Sequence, residues 1–267
     1  MRVFDCTVRI AAAPGSIRFP SGRPLYDVAH IPGAAFADLT SGLNLHDEGE
    51  NWFTLPAPEA FAAAAGALGI GDGTTVVLYD QGQTMWAARL WWQLRLHGFD
   101  AAVLDGGFVK WTAEGRPVST EPVTFAATTL TPRLRPELLV SKDDVIALVE
   151  SGGACLVNAV DRAQHDGTSP QHAGRPGHIP TSLNVPFDAV LDPATNAYLP
   201  PAALREVFAA AGIRPGERVV TYCGGAIAAS SAALALALAG SGDASVYEGS
   251  LREWAADPTL PLVVAGG

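Results

Sequence analysis

Cysteine is scarce in this sequence. Its 267 residues include three, Cys6, Cys155 and Cys223, an odd number set far apart. A disulfide framework needs pairs, and a zinc site needs clustered ligands, so neither is expected. Basic residues are also few, 17 Lys and Arg against 27 Asp and Glu, for a net charge of -10. So acidic a chain, with its Lys and Arg scattered, has no electrostatic footprint for nucleic acid or an anionic membrane. A long hydrophobic run is missing too. The longest apolar stretch, Ala226 to Gly240, is mostly alanine, is broken by Ser230 and Ser231, and is too short to span a bilayer. The opening residues MRVFDCTVRI hold no long apolar segment and no cleavage site. No signal peptide is therefore expected, and the expected location is the cytoplasm. Charged residues make up only 16% and hydrophobic residues 48%, which suits a chain with a buried core rather than a disordered one. At roughly 100–200 residues per domain, the length suits two domains.

What is present is a long internal repeat. Thr75-Val-Val-Leu-Tyr-Asp80 matches Arg218-Val-Val-Thr-Tyr-Cys223, and Asp105-Gly-Gly-Phe-Val-Lys-Trp111 matches Glu248-Gly-Ser-Leu-Arg-Glu-Trp254, both 143 residues apart. His30-Ile-Pro-Gly33 matches His178-Ile-Pro-Thr181 at a spacing of 148. A near-constant offset over so long a span means a duplicated domain, and the period is far too long for a solenoid. Val76–Tyr79 and Val219–Tyr222 are short, β-branched apolar runs that read as buried parallel strands. Helices are expected over Met85–Leu96 and Ala228–Ala239, short strands over Ala102–Leu104 and Ser245–Tyr247, and a helix over Asp143–Glu150 capped by Ser141. Such alternation predicts an α/β protein, each half a parallel sheet with helices on both faces. Arg116 to Pro136 is rich in Pro and Thr and reads as a linker carrying one strand of the second half. The expected boundaries are 1–122, a linker at 123–136, and 137–267.

The chemistry concentrates in Val219-Val-Thr-Tyr-Cys-Gly-Gly-Ala-Ile-Ala-Ala229. A cysteine ends a buried strand, two glycines follow, and a helix begins. Open α/β sheets bind ligands at the carboxyl ends of strands. The N–H groups at the start of a helix lack intrahelical acceptors and favour negative charge. A thiol held there is expected to ionise below the free-thiol pKa of about 8.5. These residues specify a cysteine thiolate in an anion cradle formed by the backbone of Gly224, Gly225, Ala226, Ile227 and Ala228. Cys6 and Cys155 lie in strand-like runs and read as core.

With these motifs the chain resembles the two-domain rhodaneses, the thiosulfate/3-mercaptopyruvate sulfurtransferase family. The resemblance rests on His30–Gly33, Asp105–Phe108, Gly177–Pro180, Tyr222–Gly225, Trp111 and Trp254. It implies tandem rhodanese-like domains, the first catalytically silent with Asp80 at the cysteine position, the second catalytic through Cys223. It implies a sulfane sulfur moving from a small anionic donor, through a Cys223 persulfide, to cyanide or a thiol, with no metal or organic cofactor and a monomeric chain.

Several residues depart from the family pattern. Gly225 and Ala228 stand where mercaptopyruvate-type members carry hydroxyls. Phe53 stands where they carry a histidine. Asn158-Ala-Val160 replaces an Asp-x-Arg. The first repeat begins almost directly at its Asp5-bearing strand, without the element the family places before it. Ser230 is expected to face helix packing. Arg175, in the loop before Gly177-His-Ile-Pro180, is the candidate for binding the donor anion, with Arg162 second. His172 reads as a surface group, and His30 and His178, found in both repeats, as loop anchors. Trp86, Arg89, Trp91 and Trp92 read as packing residues. A Cys-x5-Arg phosphatase is excluded, because Ala229 stands six residues after Cys223. The alternative outside catalysis is a degenerate rhodanese-like binding module.

Overall fold

The computed structural model describes residues 1–13, 16–46 and 53–265. The chain divides into two compact units: Met1–Arg135 with Pro193–Ala197, and Pro136–Asp192 with Tyr198–Gly267.

In the first unit the strands are β1 (Arg2–Asp5), β2 (Ala11–Ala13), β3 (Ser16–Arg18), β4 (Ala34–Phe36), β5 (Val76–Tyr79) and β6 (Ala102–Val103). The helices are α1 (Arg23–Val28), α2 (Pro58–Leu68), α3 (Met85–Leu96) and α4 (Gly107–Ala113). The main sheet is four-stranded and parallel, ordered β4-β1-β5-β6, and β2 and β3 form a small antiparallel pair. The second unit has β7 (Leu139–Val140), β8 (Cys155–Asn158), β9 (Leu183–Asn184), β10 (Val219–Tyr222) and β11 (Ser245–Tyr247). Its helices are α5 (Lys142–Ser151), α6 (Arg162–His165), α7 (Pro201–Ala210), α8 (Ile227–Leu238) and α9 (Ser250–Ala256). Its sheet is five-stranded and parallel, ordered β7-β11-β10-β8-β9. The extra strand, β7, lies beside β11, whereas β6, the counterpart of β11, is an edge strand among the described residues.

The repeated motifs turn out to be fastenings. Tyr79 and Tyr222, at the ends of the two central strands, each accept the N–H of Ile31 or Ile179 on the phenol oxygen at 3.1 Å. His30 and His178 place a ring nitrogen 2.8 Å from a backbone carbonyl, of Tyr26 and His165 respectively. Trp111 and Trp254 donate their indole N–H to the carbonyls of Pro117 and Pro261 at 2.7 and 2.8 Å. The tyrosines tie a loop to the central strand, and the histidines and tryptophans tie loop to helix, so that the buried polar groups among them are satisfied.

Helix α8 shows why an alanine-rich stretch is neither amphipathic nor membrane-spanning. Ala228 through Leu236 are all buried, because a helix apolar on every side belongs inside the molecule. No helix among the described residues is long and apolar enough to cross a membrane. Trp254, Val220, Val246 and Tyr222 fill the core beneath it, each large side chain contributing on the order of 1.5–3 kcal/mol. Ser141 caps α5 in a reciprocal box with Asp144.

The segment expected to be a linker behaves differently. Phe125 packs edge-on against Phe4 at 5.3 Å, Thr128 N–H donates to Gly66, and Arg133 and Arg135 donate to His97 and Leu96. These residues finish the first unit. The strand expected within the linker lies after it, at Leu139–Val140, because Pro132 and Pro136 lack the N–H groups a ladder needs.

Candidate active site

Cys223 follows β10 directly and is 3% exposed. The chain then turns through Gly224, Gly225 and Ala226, and α8 starts at Ile227. Ala226 has φ +63°, a left-handed conformation that costs a non-glycine residue on the order of 1 kcal/mol or more. The turn redirects the chain so that the N-terminus of α8 faces back toward the strand end. The Cys223 and Gly224 carbonyls are drawn away from this site, accepting the N–H groups of Leu251 and Arg252 at 2.9 and 3.1 Å.

The first unit shows what such a loop binds. Asp80 follows β5 at the position of Cys223, and Thr84 (φ +64°) precedes α3 as Ala226 precedes α8. The Asp80 carboxylate accepts four backbone N–H bonds: Oδ1 from Gly82 (2.9 Å) and Thr84 (3.0 Å), Oδ2 from Trp86 (3.0 Å) and Ala87 (3.1 Å). Burial pushes the Asp80 pKa up, and these N–H bonds pull it partly back. The loop from Cys223 to Ala226 is one residue shorter than that from Asp80 to Thr84. Counting back and forward from the left-handed residue, the positions that match the four donors are Gly224, Ala226, Ala228 and Ala229, and the Ala226 N–H goes instead to the Ser250 hydroxyl. The counterpart of Ile227, Met85, is not among the Asp80 donors. Ala229 lies one residue past the cradle expected from the sequence.

The larger omission is Ser250. Its hydroxyl accepts the N–H groups of Cys223 (3.2 Å) and Ala226 (3.1 Å) and donates to the Tyr247 carbonyl (2.9 Å). The repeat contained the signal, since Ser250 lies opposite Gly107 at the same spacing of 143.

The candidate cations sit as follows. Arg175 donates from Nε to the Ala255 carbonyl (3.0 Å) and from Nη2 to those of Asp257 (2.7 Å) and Leu260 (2.8 Å). Its guanidinium thus clamps the loop before Gly177 to the end of α9. Gly174, at φ +98°, lets that loop approach, since an added Cβ would lie 2.8 Å from the Ala255 Cβ. The neighbouring Ala173 methyl lies 3.5 Å from where a Gly224 Cβ would stand, so the clamped loop borders the Cys223 turn. Arg162 is largely exposed and pairs with Asp166 at 2.9 Å. Ser230 is buried and donates to the Ala226 carbonyl at 2.8 Å, bracing the turn.

Asn158 accepts the Val160 N–H on Oδ1 (3.2 Å), as Asp5 accepts that of Thr7 (2.9 Å), and its amide lies 3.3 Å from His165 Nδ1. Phe53 is buried against His46, Trp86 and Phe19. Trp86, Arg89, Trp91 and Trp92 are all buried on α3. The other two thiols are poorly placed to ionise: burial pushes Cys155 up to about 11, with Glu217 adding to it, and raises Cys6 well above the usual range. No group of three metal-binding side chains occurs among the described residues.

Comparison with known proteins agrees with this geometry. The Rhodanese-like domain matches twice, over residues 16–114 and 141–257. Thiosulfate/3-mercaptopyruvate sulfurtransferase 2 of Arabidopsis thaliana is 34% identical, over 97% of this chain and 82% of its own. Thiosulfate sulfurtransferase of Bos taurus is 32% identical, over 87% and 79%. The solved structure of an anaerobic ergothioneine biosynthesis enzyme from Chlorobium limicola superposes with a TM-score of 0.85 at 24% identity, a likeness of fold. That superposition covers all of this chain and 65% of the other. Two parallel α/β units fastened by the same repeated residues, two domain matches and relatives above 30% identity lead to one conclusion: this chain belongs to the rhodanese family, with two rhodanese-like domains.

Proposed function

We propose that the chain is a sulfurtransferase in which Cys223 carries the sulfur. The observation that bears most weight is the loop shared by Asp80 and Cys223. In one repeat it surrounds a buried carboxylate with four N–H bonds. In the other a loop one residue shorter, with the same left-handed residue before its helix, follows a thiol, and a thiol there becomes useful as an anion. The Cys223 thiolate attacks the outer sulfur of thiosulfate, forming an S–S bond to the protein as the S–S bond of the donor breaks and sulfite leaves with the electron pair. Cyanide or a thiolate then attacks the terminal sulfur of the persulfide, leaving as thiocyanate or a new persulfide and restoring the thiolate. Splitting the transfer this way is nucleophilic catalysis, and the N–H groups of Gly224, Gly225, Ala228 and Ala229 hold the persulfide charge.

Arg175 and Arg162 are the proposed cations for the donor. The Arg175 guanidinium is bound by neutral backbone carbonyls rather than by a carboxylate in these three bonds, and its loop borders the Cys223 turn. Thiosulfate is the proposed better donor. Mercaptopyruvate releases an enolate that needs a proton, and Gly225, Ala228 and Phe53 supply no acid at the positions where relatives of that type carry one. The reading extends to a reducing compartment such as the cytoplasm, which three cysteines outside any disulfide support, and to a monomer.

Treatment with thiosulfate is expected to add about 32 Da to the intact protein, one sulfur atom. Cys223→Ser is expected to abolish that adduct and all turnover, whereas Cys155→Ser keeps both. An untouched mass in the wild-type chain would favour a binding module instead. In parallel assays at equal donor concentration, thiosulfate is expected to give the higher kcat/KM; a tenfold advantage for mercaptopyruvate would show that another group delivers the proton.

A further inference from the structure

The second repeat keeps a strained serine where the first manages with glycine. Ser250 is wholly buried and holds φ +52°, and Gly107 follows the same path at φ +53°. Phe108 donates to the Asp80 carbonyl (3.0 Å) as Leu251 does to that of Cys223 (2.9 Å). A side chain at positive φ is disfavoured and persists where the surroundings enforce it. The loops differ in length, four steps from Asp80 to Thr84 against three from Cys223 to Ala226, and in where one N–H goes. In the first repeat the N–H of the left-handed residue, Thr84, reaches the Asp80 carboxylate; in the second the matching N–H, of Ala226, reaches the Ser250 hydroxyl.

We propose that Ser250 is a positioning residue for the Cys223 turn, holding it in the anion-binding conformation when no charge is there to do so. Asp80 offers two strong acceptor oxygens and orders its own loop. A cysteine offers one sulfur, a weak acceptor, and its charge changes through the reaction. Ser250 supplies the missing acceptor: by taking the N–H groups of Cys223 and Ala226 it fixes both ends of the turn, so that the first N–H groups of α8 remain directed at the strand end. Being neutral, the hydroxyl does this without opposing a thiolate or a persulfide. The proposal rests on Cys223 as the sulfur carrier, yet it makes a claim about the thiol itself that holds before any sulfur arrives.

The test is the pH dependence of Cys223 alkylation by iodoacetamide in the full chain, located by peptide mapping. Ser250→Gly removes the hydroxyl and suits the backbone, as Gly107 does, so folding is retained; Ser250→Ala gives a second reading with the φ strain kept. In both, the midpoint of the alkylation rate is expected to rise by about one pH unit, a tenfold loss of thiolate at a given pH. With thiosulfate, kcat is expected to fall about tenfold and the donor KM to change less than about twofold, the pattern of an interaction needed in the transition state. A midpoint in Ser250→Gly matching the wild type would overturn the proposal, whatever the thermal stability did. A shifted midpoint in a chain that takes no sulfur from thiosulfate would uphold the positioning role and reject the sulfur-carrier reading.

Discussion

The backbone of Cys223 is held on both sides by the start of α9: its N–H donates to the Ser250 hydroxyl and its carbonyl accepts the Leu251 N–H. Arg175, the residue most readily assigned to an anion, already holds three carbonyls. Two roles for Arg175 can therefore be separated. Arg175→Met removes three charge-assisted bonds at a half-buried position, each about 1.5–3 kcal/mol before solvent screening. The expected outcome is a loss of a few kcal/mol in denaturant unfolding together with a several-fold rise in the thiosulfate KM. Lost stability with an unchanged KM would leave the clamp as its whole function and move donor binding to the backbone. At this scale the sequence was readable where a residue type has one plausible chemistry. Cys223 stood out because a thiol, two glycines and a helix start occur together. Ser250 did not, because a serine at a turn has many ordinary uses.

At the scale of elements, the unit around β8 and α6 carries a pH dependence. His165 is buried and stacks on His178 at 3.7 Å. Burial first, and the neighbouring His178 second, lower its pKa from 6.5 to about 4. A histidine whose folded pKa is depressed binds fewer protons in the folded state than in the unfolded state. Its favourable contribution is complete above about pH 6.5 and is lost as the pH falls toward 4. In the first unit Asp5 and Asp80 are shifted upward by burial, which has the opposite sign: their protonated forms are favoured on folding, so acid helps rather than harms. Hydrogen exchange between pH 6.5 and 4 is therefore expected to show β8 and β10 losing protection before β1 and β5. His165→Gln is expected to flatten that loss; an equal slope in the variant would remove His165 as its cause. The strands and helices themselves were legible, with β5, β10, β11 and α3 at the bounds their apolar patterns predicted, because buried parallel strands and fully buried helices need continuous apolar runs. The 123–135 segment was not, because it is fastened by single backbone bonds to the ends of α2 and α3 and by isolated side chains such as Phe125, which leave no periodic mark.

Over the whole molecule, the net charge of -10 disfavours the approach of a dianion at long range. Salt screens that repulsion, with a Debye length near 30 Å at 0.01 M and about 10 Å at 0.1 M. The thiosulfate kcat/KM is expected to rise across that interval, measured at fixed pH with an inert salt; a fall would mean that a local cation such as Arg175 dominates the encounter. The duplication was written in the sequence, and so was the contrast between the repeats, Asp80 against Cys223. Those follow from residue type and spacing alone, since strand burial, glycine turns and helix starts are local requirements. The tertiary structure decided that Ser250 crosses from the start of α9 to pin the turn, and that Arg175 clamps a loop. Those depend on hydrogen bonds between segments tens of residues apart, whose partners are mostly backbone atoms common to every residue and so invisible in the identity of any one of them.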